Sequence, residues 1–152
     1  GDHDLLYARA MLAVKMDRVD LLERDLQLIL EQDPNHADAL NALGYTLADQ
    51  TDRYQEALGY IERAFKLKPD SAAVLDSMGW VQYRLGNNQE ALRYLWRAME
   101  LTPDPEIAAH LGEVLWVQGE HKRARKVWHD ALSREPGSEY LLRVLDRYKQ
   151  HF

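Results

Sequence analysis

Four tryptophans, at 80, 96, 116 and 128, and six histidines are the side chains of this 152-residue sequence best suited to site chemistry. Indole rings give a binding partner a large, rigid contact area, whereas imidazoles ligate metals or carry protons. The histidines do not form a ligand set. His121 and His129 are too far apart along a helix to share an ion, and His36 and His110 have no partner at ligand spacing. A surface or helix-capping role is expected for each. Glycine-rich phosphate loops, nucleophile elbows and His-Glu-x-x-His helices are absent. Carboxylates are numerous, but no pair stands out as an acid and base, so they read as solvated surface. The sequence therefore reads as a non-enzyme with no catalytic residue, metal site or cofactor.

Charge and composition narrow the partners. The net charge of −6 argues against unspecific attraction to nucleic acid or an anionic membrane. The one basic run, His121-Lys122-Arg123-Ala124-Arg125-Lys126, shares a helix with Ala124 and Trp128, which should face inward and leave the charges to water. Hydrophobic content of 46% and charged content of 29% are those of an ordinary globular chain. No apolar run approaches the ~20 residues of a membrane-spanning helix. Without cysteine there is no disulfide and no thiolate chemistry, and the compartment stays open between cytosol and periplasm. The chain opens at Gly1 without initiator methionine, signal peptide or lipid-attachment cysteine, which suggests a fragment whose address lies elsewhere.

The elements that position these residues come in repeats. Gly44, Gly79 and Gly112 each follow a large apolar residue, while Ala57, Ala91 and Ala124 are each followed one turn later by Ile61, Leu95 and Trp128. Prolines at 34, 69, 103 and 136 close the units, a period of about 34 residues with one insertion near Tyr54 and one deletion near Pro105. Within Ala72 to Pro103, Leu75, Met78, Gly79 and Leu85 share one helical face, and Ala91, Leu95 and Ala98 share another. Gly86-Asn87-Asn88 separates the two, and Asn87 with Glu90 reads as a helix start. Such a pair has no far side to its core and must stack on copies of itself. Small residues let paired helices approach closely, and Leu, Ile and Trp fill the remaining space.

The period and the small-large pattern resemble the tetratricopeptide repeat (TPR) family. The resemblance implies an all-α fold, a right-handed superhelix of about four helix-turn-helix repeats plus a C-terminal capping helix, forming a single domain over residues 1–152. Repeats are expected at 37–71, 72–104 and 105–138, with a degenerate one at 3–36 that carries Ala10 and Leu22 in place of glycine and alanine. In that unit Leu6, Leu22, Leu26, Ile29 and Leu30 keep helical spacing, and Leu5, Leu21 and Leu28 are surplus. The surplus suits either a preceding repeat in a longer solenoid or dimerisation. Ser138 is expected to cap a last helix over 138–150, with Leu141, Leu145, Tyr148 and Phe152 inward and Glu139, Arg143, Asp146 and Lys149 outward. Tyr140, Leu142 and Val144 widen that apolar face, for packing or for a partner.

In the family the first helix of each unit lines a concave groove. Helical geometry then selects Tyr45 and Ala48, Trp80 and Tyr83, Glu113 and Trp116, with Asn41, Asp76 and Ala109 one turn earlier and Asp49 and Arg84 one turn later. The expected partner-binding groove is Asn41, Tyr45, Asp49, Asp76, Trp80, Tyr83, Arg84, Glu113 and Trp116: aromatic, acidic at its edges, with one arginine. Groove function is favoured over packing for Trp80, and the two stay even for Tyr83 and Trp116. Trp96 and Trp128, on second helices, should be core or convex surface. Trp80→Ala together with Tyr45→Ala is expected to weaken partner binding by at least about tenfold at unchanged helical content. TPR co-chaperones that grip a terminal carboxylate use lysines, asparagines and arginine at set groove positions; here those positions hold mainly Asn41, Tyr45, Asp76, Trp80 and Glu113, so that clamp is not expected.

The segments from Leu40 to Gly86 and from Pro103 to Gly119 further resemble the C-terminal repeats of TPR lipoproteins of Gram-negative bacteria. That resemblance implies a periplasm-facing outer-membrane location; without it the expectation is cytoplasmic. In one branch such proteins are adaptors that bring cell-wall hydrolases to a carboxyl-terminal processing protease. The expectation is thus a scaffold for a protein or peptide partner, with no nucleic acid and no membrane insertion. The alternative is self-assembly through the terminal helices.

Overall fold

A computed structural model describes residues 2–148, which form nine α-helices and, among the described residues, no strand. They are α1 (Asp2–Lys15), α2 (Val19–Gln32), α3 (Ala37–Gln50), α4 (Tyr54–Leu67), α5 (Ala72–Arg84), α6 (Asn88–Leu101), α7 (Pro105–Val117), α8 (His121–Arg134) and α9 (Glu139–Tyr148). Consecutive helices pair, α1 with α2 through α7 with α8, and each pair stacks on the next. The helices α2, α4, α6 and α8 all end shortly before their prolines, and α1 with α2 forms a complete pair with Ala10 and Leu22 fully buried. The deletion near Pro105 shortens the turn into α7, where Pro105 takes the first helical position and Asp104 Oδ1 accepts from the Glu106 N–H at 2.8 Å.

Each second helix is amphipathic and buries a narrow stripe: Ala57, Ile61 and Ala64 on α4, Ala91, Leu95 and Ala98 on α6, Ala124, Trp128 and Ala131 on α8. The first helices become progressively more enclosed. On α7 every residue from Ile107 to Trp116 is buried, since α5, α6, α8 and α9 all pack against it. Two titratable residues, His110 and Glu113, lie inside this otherwise apolar run. Burial without partners would cost each of them several kcal/mol, roughly 2–7 for an uncompensated polar group, so the structure must supply partners.

Helix starts match the sequence in part. Ser71 Oγ accepts from the Val74 N–H, Ser138 Oγ from the Leu141 N–H, and His36 Nδ1 from the Ala39 N–H at 3.1 Å, the capping role expected of that histidine. Asn87 occupies the N-cap of α6, but its side chain does not cap. Its amide donates instead to Gln82 Oε1 at 2.9 Å, holding the preceding turn where Gly86 takes φ +88°. On α9, Leu141 and Val144 are buried and Leu145 and Tyr148 half-buried, while Tyr140 and Leu142 stay exposed; Lys149, Gln150 and Phe152 lie outside the described residues. At the N-terminal edge the surplus leucines separate. Leu21 packs on the core, whereas Leu5 and Leu28 face water, joined by Leu12 and Met16.

Candidate functional site

The odd-numbered helices form one wall, and its surface is the concave groove. Three connected hollows share Tyr45: one of about 400 Å³ between α3, α5 and α7, one of about 140 Å³ reaching α9, and one of about 810 Å³ spanning α1, α3, α7 and α9. Of the residues selected from sequence, Asn41, Tyr45, Asp49, Asp76, Trp80 and Glu113 line these hollows. Tyr83, Arg84 and Trp116 do not.

Trp80 does not stand in the groove as an exposed hot spot. It is 5% exposed, stacked on the His110 ring at 4.2 Å and beside Tyr83 at 5.0 Å, and its indole N–H donates to Asp49 Oδ1 at 3.1 Å. The indole is part of the groove wall, held from α3, α5 and α7 together. Trp116 resolves to packing: it is buried against Trp128 and Tyr148, with His121 stacked over it at 3.9 Å. Arg84 extends away from the groove over the Tyr54 ring, 5.2 Å from its centroid. Tyr83 is half-buried behind Trp80; burial first, and then the Glu113 carboxylate, push its hydroxyl up to about 12. The basic run on α8 does fan outward, Arg123 lying over Trp96 and Lys126 pairing with Asp130, while Trp128 is core.

His110 corrects the expectation of a surface histidine. It is buried at the centre of a polar chain across three helices: its Nδ1 lies 2.8 Å from Asp76 Oδ1 and its Nε2 3.0 Å from the Tyr45 hydroxyl. The Nδ1–H donates to the carboxylate. The Tyr45 O–H donates to a neutral Nε2, or accepts from it once the ring is protonated. Burial alone would lower the His110 pKa, but Asp76, with Glu106 and Asp49 behind it, outweighs that and raises it. Glu113, the second polar residue of α7, is met by Arg147 of α9; burial raises its pKa and Arg147 opposes the shift. Glu106 is raised first by burial and then by Asp76 and Asp104.

Sequence reasoning missed His110 and Glu106, and it left Tyr140 open to a partner without placing α9 in the groove. His110 falls one turn before Glu113 on the groove face, two residues ahead of the glycine, whereas the selection took the residue three ahead. Tyr140, Arg143 and Arg147 enter because curvature brings α9 back beside α3, which no local pattern encodes.

The raised groups set a pH dependence. A group whose folded pKa lies above its unfolded value stabilises the fold below the unfolded pKa and loses that contribution as pH rises through the folded one. For His110 the window opens upward from about 6.5, and for Glu106 and Glu113 from about 4.3. Urea midpoints are therefore expected to fall between pH ~5.5 and ~8.5, and the part of the fall above pH ~6.5 should flatten in His110→Asn. An unchanged slope in that variant would assign the effect elsewhere.

Two family profiles match the chain, both described as tetratricopeptide repeat, over residues 26–59 and 77–145, together more than half of it. The chain belongs to the tetratricopeptide repeat family. A TPR repeat-containing protein of Pseudomonas aeruginosa is 51% identical over 112 residues, covering 74% of this chain; the chain spans only 19% of that relative's length. Among solved structures, a thermophilic TPR protein of Thermus thermophilus superposes with TM-score 0.83 at 24% identity, covering 97% of this chain and 80% of its own. PilF of Pseudomonas aeruginosa gives TM-score 0.70 at 22% identity, covering 97% and 69%. These likenesses establish the all-α TPR solenoid, a fold that generally serves as a protein-interaction scaffold. Among the described residues no cluster has the makeup of a metal site, and no helix is long and apolar enough to cross a membrane.

Proposed function

We propose that this TPR chain is a non-enzymatic scaffold that holds a partner protein or peptide in its concave groove. The observation that carries the reading is the contrast within the groove wall. Trp80, His110, Asp76 and Tyr45 lock α3, α5 and α7 into a preformed surface, and beside it Tyr140 remains 50% exposed with Met11 and Val14 facing it across the widest hollow. A rigid wall with accessible apolar and aromatic groups loses little entropy on binding, and such groups are where interface energy concentrates. Affinity capture from extract with this chain as bait tests it. Tyr140→Ala with Met11→Ala is expected to reduce recovery of the partner by about tenfold, ~1.4 kcal/mol, without altering helical content. Undiminished recovery would move the site to the convex or terminal faces.

The finer reading is an adaptor that brings cell-wall hydrolases to a carboxyl-terminal processing protease in the periplasm of a Gram-negative cell. It is supported by the resemblance of residues 40–86 and 103–119 to outer-membrane TPR lipoproteins and by the 51% identity to a TPR protein of Pseudomonas aeruginosa. Recovery of such a protease or its substrate in the same capture tests it. A second reading, self-assembly, rests on the apolar outer surface of α1 and the turn after it, where Leu5 is 73%, Leu12 56% and Met16 61% exposed. Sedimentation velocity across concentration decides it, since a strict monomer at high concentration removes it.

A further inference from the structure

The acids of the groove are unevenly answered: Glu113 meets Arg147, but the carboxylates between α3, α5 and α7 meet no Lys or Arg among the described residues. The hollow between α3, α5 and α7 is lined by Asp76, Asp104 and Glu106 with no Lys or Arg among its lining residues. Asp76 faces His110, Asp104 caps α7 through one oxygen, and Glu106 has the Tyr45 hydroxyl but no Lys or Arg salt bridge among the described residues. Asn41 lines the same hollow and contributes a buried amide oxygen with no protein donor. The wider hollow adds Asp17, Asp49 and Glu139 to its acids, with Lys15 and Arg143 opposite, and intersperses Met11, Val14 and Tyr140. Basic side chains gather on the second helices instead, as on α8, where Lys122, Arg123 and Lys126 are all exposed.

Resting on the groove reading above, we infer that the occupant is a cationic amphipathic segment of a partner protein, with a lysine or arginine in the Asp76–Asp104–Glu106 hollow and apolar side chains over Met11, Val14 and Tyr140. Three carboxylates converging on a partly dehydrated hollow repel one another, and an incoming ammonium or guanidinium relieves that repulsion while offering a donor to the unpartnered Asn41 amide oxygen. Burial first, and then Asp76 and Asp104, raise the Glu106 pKa, in keeping with that repulsion. An acidic segment would instead bring like charges together in the groove, a penalty that enforces selectivity. The apolar contacts separate this from a merely charged surface, because a cation without apolar neighbours would leave the exposed half of Tyr140 and the open sides of Met11 and Val14 uncovered.

Two fluorescein-labelled peptides of the same apolar pattern, one with lysine and arginine at its polar positions and the other with glutamate, provide the test. By anisotropy with the full chain the cationic peptide is expected to bind and the acidic one not to, with affinity falling steeply between about 50 and about 300 mM salt. Amide shifts should cluster at Tyr45, Glu106 and Tyr140. Glu106→Gln with Glu139→Gln is expected to weaken binding by about fivefold or more, and Glu62→Gln with Glu100→Gln, on exposed faces of α4 and α6, to leave it unchanged. Equal binding of both peptides, an unchanged affinity in the groove variant, or shifts confined to second helices would overturn the inference. If Tyr140→Ala with Met11→Ala loses the captured partner while neither peptide binds, the groove reading stands and the charge preference is wrong. If the captured partner is also indifferent to that variant, both fail.

Discussion

Trp80→Ala is expected to destabilise the fold by roughly 3–5 kcal/mol, the range for truncating a buried aromatic residue. Against a total of roughly 5–15 kcal/mol for a domain of ordinary stability, that is a large share. Two losses combine. The cavity left on α5 removes the surface on which His110 stacks, and Asp49 loses the indole N–H that its carboxylate accepts. His110 then keeps Asp76 and Tyr45 but is opened to water, so the variant should also shift the pH dependence of stability. Thermal unfolding should show a drop of about 10 °C, and hydrogen exchange should localise the weakening to α3, α5 and α7, since stacked repeats pass strain mainly to neighbours. Tyr140→Ala, half-exposed on the same groove, is the control and should change stability by under about 1 kcal/mol. A Trp80→Ala protein melting within about 2 °C of the parent would return the indole to the surface role expected from sequence. The double substitution of Trp80 and Tyr45 therefore cannot report on binding alone, because both residues hold the wall together.

The same comparison separates what the sequence encodes locally from what it does not. Helix pairs were legible because each is a short-range pattern. Gly79 against Leu95, Ala91 and Ala98 inward, and a proline after each second helix are all fixed within one repeat, and the structure places them as read. The groove was legible only to the level of the helix. Asn41, Tyr45, Asp49, Asp76, Trp80 and Glu113 were placed on the face that lines the hollows, but whether a side chain there meets solvent depends on the neighbouring unit, one period away. Trp80 is covered by His110 and Asp49, Glu113 is answered by Arg147, and Asp76 by His110, all contacts across the stack. One signal was present and went unread: Ile107 to Trp116 is apolar on all sides except at His110 and Glu113. A helix buried all round must pair its polar residues, so these two were the positions to question.

Gly112→Ala is expected to be destabilising by about 2 kcal/mol or more despite the higher helix propensity of alanine, which alone would favour the variant by about 1 kcal/mol. A Cβ built on Gly112 would fall 1.9 Å from Trp128 Nε1 and 2.3 Å from its Cε2, so the indole has to move. It has nowhere close to go. Trp128 is fully buried, with Trp116 at 5.9 Å and Tyr148 at 5.6 Å between ring centroids, and its N–H reaches the Ala109 carbonyl at 3.4 Å. At Gly44 and Gly79 the same Cβ would meet Ile61 Cγ1 and Leu95 Cγ at 2.5 and 2.6 Å, with the Ala57 and Ala91 carbonyl oxygens at 3.0 and 3.1 Å, less severe approaches than the one to the indole. Alanine should therefore cost most at 112 and less at 44 and 79. The partner substitution tests the cause: Trp128→Leu costs stability alone through lost volume, but combined with Gly112→Ala it should restore part of the loss, a coupling of about 1 kcal/mol or more in a double-mutant cycle. Additive effects would mean that the glycine is required by the backbone of α7 itself and not by the indole. Because α9 closes on the same aromatic stack through Tyr148, displacement of Trp128 should also loosen α9, and with it the Glu113–Arg147 pair at the groove floor. A packing defect on the far side of α7 thus becomes measurable in the groove as exchange broadening at Tyr140 and Arg143, before any loss of helix.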